Sequence, residues 1–517
     1  MRISLTLALI FAACADGGGG KDATDGYWRD TGWGGNSSSD TGSDIAEPDV
    51  PAEQEDDHLA LRPAETDVFV FIANPDNDSV TRVNAASLEV RTSPVGHTPS
   101  AVAVTADWKT AVVFNQGDAT VSIVDAATLD TVAVAVRPNL NQMKLSPDGR
   151  WAMLWHDVAA EKAGEVATGG ATSYNEVSLV DLVGKVHHGL VVGFNPKSVR
   201  FTPDGRLALA VSDASLATVD LSGDAPVATY VPIADPLEPP VAEEVEVSPN
   251  GAFAFIRQRA IDQLTVVDLA TRVVSAIPVP AGPTDLDLSA NGTELLLVSR
   301  TAASVSRFQV ADPFATAAVT AIPGATALGS ILLAPNGDAV LYTTAVPLGR
   351  YATWNLGSDE ITLHPLNKPA QSMALTDDGA SLLVIHGTAN NDDGSTPEAY
   401  RGKSGLSLIS LADQRTNTLA LSAAISGYAV NGAHGYAILD GRSVLEVLDY
   451  RTLLHDEIAL RSPAVFVGAL PQLVPGGPEP KAWVSQQHPL GRITFYDPAS
   501  VATTTITGFE LNGQIED

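Results

Sequence analysis

The chain has 517 residues, 45% hydrophobic and 18% charged, and its 61 Asp and Glu against 30 Lys and Arg leave a net charge of −31. That balance excludes a nucleic-acid partner, because phosphate binding rests on clustered Lys and Arg that displace counterions, and the sequence holds no such cluster. The 43 Gly and 33 Pro favour turns over long helices, so an all-β chain is expected, long enough for several domains or one array of repeats.

Residues 1–13 begin with one cation, Arg2, followed by an apolar run from Ile3 to Ala13. The run is too short to span a bilayer and has the length of a signal-peptide core, so export is expected. Ala12 and Ala13 stand directly before Cys14, and the stretch resembles the lipobox of bacterial lipoproteins, with Phe11 in place of the usual Leu. The resemblance implies cleavage before Cys14, lipidation of its thiol and a membrane partner held through the lipid. Ala15, rather than an aspartate, follows the cysteine, which by the same resemblance implies the outer membrane of a diderm cell envelope. Cys14 is the only cysteine, so the exported chain uses no disulfide and keeps one thiol where lipidation would consume it. A plain secretory signal followed by a chance cysteine is the alternative.

Residues 14–65 are rich in Gly, Ser and acids and almost without Val, Ile, Leu and Phe. Such a stretch cannot offset its ordering entropy and is expected to be a disordered tether.

Residues 66–517 repeat. Turns of the type "SPDG" open at Thr105, Ser146, Thr202, Ser248, Ser289, Ala334 and Thr376, spaced 41 to 56 residues apart, with four short strands and no helical periodicity between them. That period matches the four-stranded blade of a β-propeller. Alternating segments such as "VSIVD" (121–125), "LTVVD" (264–268) and "ITFYD" (493–497) place one face against a neighbouring blade, and their terminal aspartates are expected to cap hairpin turns.

The segments "VDAATLDTVAVAV", "VDLATRVVSAIPVPAGPTDLDLSANG" and "FIANPDNDSVTRVNAASLEV" resemble the YVTN-type β-propeller repeat family and its lactonase-like and quinoprotein-like relatives. The resemblance implies a single closed propeller; for function it says little, because one blade type serves many purposes. Ten units are counted, beginning near Val68, Lys109, Trp151, Leu207, Phe253, Glu294, Ala339, Ser381, Tyr436 and Lys481, with eight or nine blades or two smaller propellers as alternatives. The first unit lacks an evident innermost strand, which "ELNGQIED" at the C-terminus is expected to supply, closing the ring.

Loops between second and third strands share one face with the segments leading into the innermost strands. The long insertions 156–175 and 386–405 fall there, so this mouth is the expected binding face, and both loops are expected to be dispensable for folding. Its candidate residues are His97, Asn141, His156, Lys197, Glu243, Asp285, Gln371, His386, Tyr428 and His488. Four histidines around one mouth would suit a metal or a general base, but none sits in a ligand motif. "NPDNDS" (74–79) and "NNDDG" (390–394) offer oxygens for calcium, although Ala389 and Tyr400 break the EF-hand template.

No nucleophile–base pair or phosphate loop is legible. The expected function is that of a monomeric, lipid-anchored scaffold binding a protein, peptide or glycan. The alternative is a lactonase-like or quinoprotein-like enzyme, for which Glu243, Asp285, His97 and His156 are the candidates.

Overall fold

The computed structural model describes residues 62–158, 174–237, 239–325, 328–344, 348–376, 378–388, 392–471, 479–511 and 515–516. The export signal, Cys14, the tether, most of the 156–175 insertion and part of "NNDDG" lie outside the described residues.

The strands form ten antiparallel sheets, each in sequential order, nine of four strands and the last of five. Blade five is representative: Ala242–Val247, Phe253–Gln258, Gln263–Asp268 and Val274–Pro278 run from inside to outside. Two local devices recur. At the first hairpin a Ser or Thr hydroxyl donates to the Asp two residues on, as from Thr105 to Asp107 (2.7 Å) and from Thr376 to Asp378 (2.7 Å). The fourth position of that turn has positive φ, which is why Gly149, Gly205 and Gly251 stand there. At the hairpin after the third strand the aspartate accepts backbone N–H groups, as Asp125 does from Ala127 (2.9 Å) and Thr128 (2.8 Å) and Asp268 from Ala270 (3.0 Å) and Thr271 (2.8 Å). These carboxylates cap turns, as their spacing indicated.

Each sheet is covered on both faces. In the strand Thr120–Asp125, Val121 and Ile123 pack toward blade three and Val124 toward blade one. Ten apolar clusters result, each joining two consecutive blades. One of them joins Val70, Ile72 and Val83 of blade one to Trp483, Ile493 and Phe495 of blade ten, so the blades close into a single ring.

The termini differ from expectation. The innermost strand of blade one is Ala64–Glu65, pairing Ala64 with Phe71 and Glu65 with Val70. The C-terminal Ile515–Glu516 instead pairs with Ala502–Thr507 as a fifth, outermost strand of blade ten. The reason is local: the Thr66 hydroxyl accepts the N–H groups of Val68 (3.2 Å) and Phe69 (2.8 Å), so a tight hairpin from the adjacent chain fills the place.

Candidate functional site

Aspartates in the loops after the second strands tie neighbouring blades together at the mouth. Asp78 accepts from Thr98 N (2.8 Å), Asp213 from Ala242 N (2.9 Å) and Asp262 from Gly282 N (2.8 Å). The two sets of loops therefore share one face.

Several candidate residues serve this framework. His97 is exposed and pairs with Asp78 (2.8 Å), whose hydrogen bond raises the imidazole pKa. Lys197 donates to Asp213 (2.7 Å), and Asn141 exchanges hydrogen bonds with the backbone of Asp157 (2.8 Å each way). Gln371 bonds through its backbone to Ile385 (2.7 Å), and His488 accepts from Leu490 N (3.1 Å). Tyr428 is buried in the cluster between blades eight and nine, and burial raises its phenol pKa.

His156 is buried and donates through Nδ1 to Asn139 O (2.7 Å). His386 is 1% exposed; its Nδ1–H donates to Pro369 O (3.0 Å), so Nε2 accepts from the Ser407 hydroxyl (2.7 Å), and burial pushes its pKa down to about 4. It holds the blade position of Asn74, Asn115 and Gln486, whose side-chain amides also meet third-strand hydroxyls but as donors. It is a neutral clasp within its blade rather than an open base. Among the described residues no three His, Cys, Asp or Glu side chains are grouped to hold a metal ion.

The insertion 386–405 is also anchored. Buried Lys368 donates to Asp392 and to Tyr400 O (3.2 Å), while Asp393 accepts from Gly349 N (2.7 Å) and Ser395 N (2.8 Å). It is part of the junction between blades seven and eight, so it is not a loop the fold can lose freely.

Charged side chains concentrate one strand further in. Strand register places Ala64, Ala103, Lys144, Arg200, Glu246, Asp287, Leu332, Ala374, Ala429 and Gly468 at the same level of the ten innermost strands. Blades three and four thus present cations, blades five and six present anions, and the other six present small or apolar side chains.

Toward the mouth this charged sector continues. Arg257, 2% exposed, pairs with Glu244 (3.0 Å), 3% exposed, and with Glu243, which also pairs with Arg259. Asp285 accepts from Ile331 N of the next blade (2.6 Å), and Arg200 donates to Val245 O (3.2 Å).

The electrostatics follow from burial. Burial, then the charge of Asp287, pushes Glu246 up to about 7 against the pull of Arg200 and Lys144. Burial and Asp285 raise Glu244 well above the carboxylate range, with Arg257 opposing. Burial also works against ionisation of Glu243, but the hydrogen bond from Arg259 and the charge and hydrogen bond of Arg257 outweigh it, so its pKa falls. A carboxyl near 7 in a charged channel wall can hold or yield a proton at neutral pH.

Sequence reasoning named Glu243 and Asp285 but missed Lys144, Arg200, Glu244, Glu246, Arg257 and Asp287. The signal lay in "QMKL", "SVRF", "AEEVEV" and "PTDLDL", four successive innermost strands that each carry at least one charge. A cleft of about 290 Å³ on the opposite face, between blades four and five, is lined by Thr218, Asp220, Thr229 and Arg272 with apolar neighbours. Asp220 there accepts from Ser222 in turn capping.

No family model and no curated protein matches the chain. Solved structures do. Dihydro-heme d1 dehydrogenase NirN in complex with DHE is 18% identical over 70% of this chain and 75% of that one, with a TM-score of 0.43. A eukaryotic initiation factor is 10% identical over 76% of this chain and 96% of that one, with a TM-score of 0.50. Apo AztD from Citrobacter koseri is 12% identical over 59% and 85%, with a TM-score of 0.37. At these identities the likeness is one of fold alone. By its own sheet order and its ten inter-blade clusters, the chain is an all-β propeller of ten blades.

Proposed function

We propose that the chain is a cell-envelope lipoprotein, anchored through Cys14 in the outer membrane of a diderm bacterium, whose propeller binds a protein, peptide or glycan at the channel mouth. One observation carries the binding reading. The innermost strands of blades three to six hold Lys144, Arg200, Glu243, Glu244, Glu246, Asp285 and Asp287, whereas those of blades two and seven to ten hold no charge and that of blade one only Glu65. Six blades therefore stack without this wall of charge, and buried ion pairs are weak contributors to stability, so the wall is retained for something other than closing the ring.

A wall with both signs of charge suits a ligand with both, which favours a peptide segment. Tyr174 and Phe194 add an aromatic surface at the mouth, their rings 6.0 Å apart and Phe194 73% exposed. A second reading, a lactonase-like enzyme, draws support from Glu246 with its pKa near 7 in the same wall.

The test is fluorescence anisotropy of labelled acidic, basic and mixed-charge peptides and neutral oligosaccharides with the full chain and with Glu246→Gln. The binding reading expects mixed-charge peptides to bind most tightly. A panel with no binder, together with lactone turnover lost in Glu246→Gln, replaces it with the enzyme.

A further inference from the structure

We propose that the mouth holds a subsite for a carboxylate, seated on the guanidinium of Arg300 between blades five and six. The inference rests on the mouth being the binding face and names the chemistry of part of its ligand.

Arg300 directly follows the second strand of blade six, Glu294–Ser299. Its backbone is fixed: Arg300 N donates to Gly282 O (2.6 Å), and Gly282 is itself held by Asp262 (2.8 Å) and packs so closely that an added Cβ would lie 2.6 Å from the Thr301 hydroxyl. The side chain is half-buried, yet among the described residues it makes no ion pair, and its Nε is buried without a hydrogen-bond partner. A buried guanidinium nitrogen left unpaired is costly unless something supplies the acceptor.

The neighbouring groups do not supply it. Glu243 is taken by Arg257 and Arg259, and Glu244 by Arg257. The nearest influences on Arg300, after burial itself, are repulsion from Arg257 and attraction to Glu243, with no hydrogen bond from either. Arg257 and Arg259 thus take up both neighbouring carboxyls, and Glu244, raised by burial and by Asp285, carries less than a full negative charge. Arg300 is left half-buried and without an ion pair among the described residues, in a chain whose net charge is −31. A planar carboxylate meets a guanidinium fork with two parallel N–H···O bonds, a fit that a tetrahedral phosphate or an uncharged group shares less well.

Ligand-observed NMR titration of the full chain with benzoate, inorganic phosphate and benzyl alcohol tests this. Wild type is expected to bind benzoate and not benzyl alcohol. Arg300→Gln should weaken benzoate at least roughly tenfold, and Arg300→Lys, which keeps the charge without the fork, should fall between, with melting temperatures unchanged in both. Equal benzoate affinity in wild type and Arg300→Gln, no benzoate binding at all, or binding of phosphate alone overturns the proposal. If mixed-charge peptides bind Arg300→Gln as they bind wild type, the carboxylate subsite falls while the binding face stands.

Discussion

Lys368, between blades seven and eight, is fully buried with its ammonium on Asp392, so the insertion that looked removable carries the counter-charge of a core lysine. Removing one partner of a buried pair leaves an uncompensated charge and costs roughly 3–5 kcal/mol. Asp392→Ala, and equally replacement of 388–403 by a short turn that leaves His386 and Gly405 in their strands, should lower the denaturation midpoint by an amount of that order. Combining either change with Lys368→Met should restore most of it, measured by urea unfolding. A loop deletion as stable as wild type would mean that Lys368 reaches solvent.

Glu446 of blade nine is 3% exposed, lies on the same register as Glu457, and has one carboxyl oxygen without a hydrogen-bond partner among the described residues. Burial, then Glu457, pushes its pKa up to about 7 from 4.5. The folded state therefore holds this proton more tightly than the unfolded chain does. The stability this gives is complete below the unfolded value and is lost as pH rises through about 7, on the order of 3 kcal/mol for the full shift. Glu446→Gln should flatten the fall in stability between pH 5 and pH 8.

His386 sets the opposite limb. Its pKa of about 4, lowered by burial from 6.5, means that the neutral ring is favoured on folding. That contribution is present above pH 6.5 and is lost as pH falls through about 4, again on the order of 3 kcal/mol. His386→Gln, which retains an amide to meet Ser407, should remove this acid-side loss while leaving stability at pH 7.5 within about 1 kcal/mol, as read by guanidinium titrations at several pH values.

Because Ile515–Glu516 is an added outer strand, removing it should matter less than removing the inner strand at the other end. A chain ending at Leu511 loses about one or two ladder hydrogen bonds, roughly 0.5–1.5 kcal/mol each. Thr66→Ala leaves two backbone N–H groups without their acceptor and should lower the melting temperature more. The reverse order in differential scanning calorimetry would place ring closure at the C-terminus.

Anchoring has its own test. Cys14→Ser should abolish incorporation of radiolabelled lipid and leave the protein as precursor or shift it out of the membrane fraction, since stable anchoring needs more than one acyl chain. Unchanged lipid incorporation would refute the lipobox assignment.

The blades were legible because their devices are local. The Ser or Thr that opens each first hairpin, the Gly with positive φ and the Asp that caps the outer hairpin each act on groups no more than five residues away. Thr66 belongs to the same series, but no Pro-Asp-Gly follows it, so the sequence shows no turn there and points to the C-terminus for a closing strand that Ala64–Glu65 in fact supplies. The charged wall was harder to see. Lys144, Arg200, Glu246 and Asp287 are 41 to 56 residues apart in sequence, and only the register of four separate sheets brings them to one level. For His156 and His386 the loop they open is visible in sequence, whereas the buried clasp position they occupy is not.

The channel wall of blades three to six is the core of this account, and the ring itself suggests the control. The other six blades carry Ala, Leu or Gly at the level of Lys144, Arg200, Glu246 and Asp287, so replacing all four by Ala should preserve the fold. The decisive measurement is the dissociation constant of the best mixed-charge peptide for the wild-type chain and for this fourfold variant. A loss of affinity of roughly 100-fold, with an unchanged melting temperature, is expected if the wall holds the ligand. Equal affinity in the two proteins would contradict the account and move the site away from the channel.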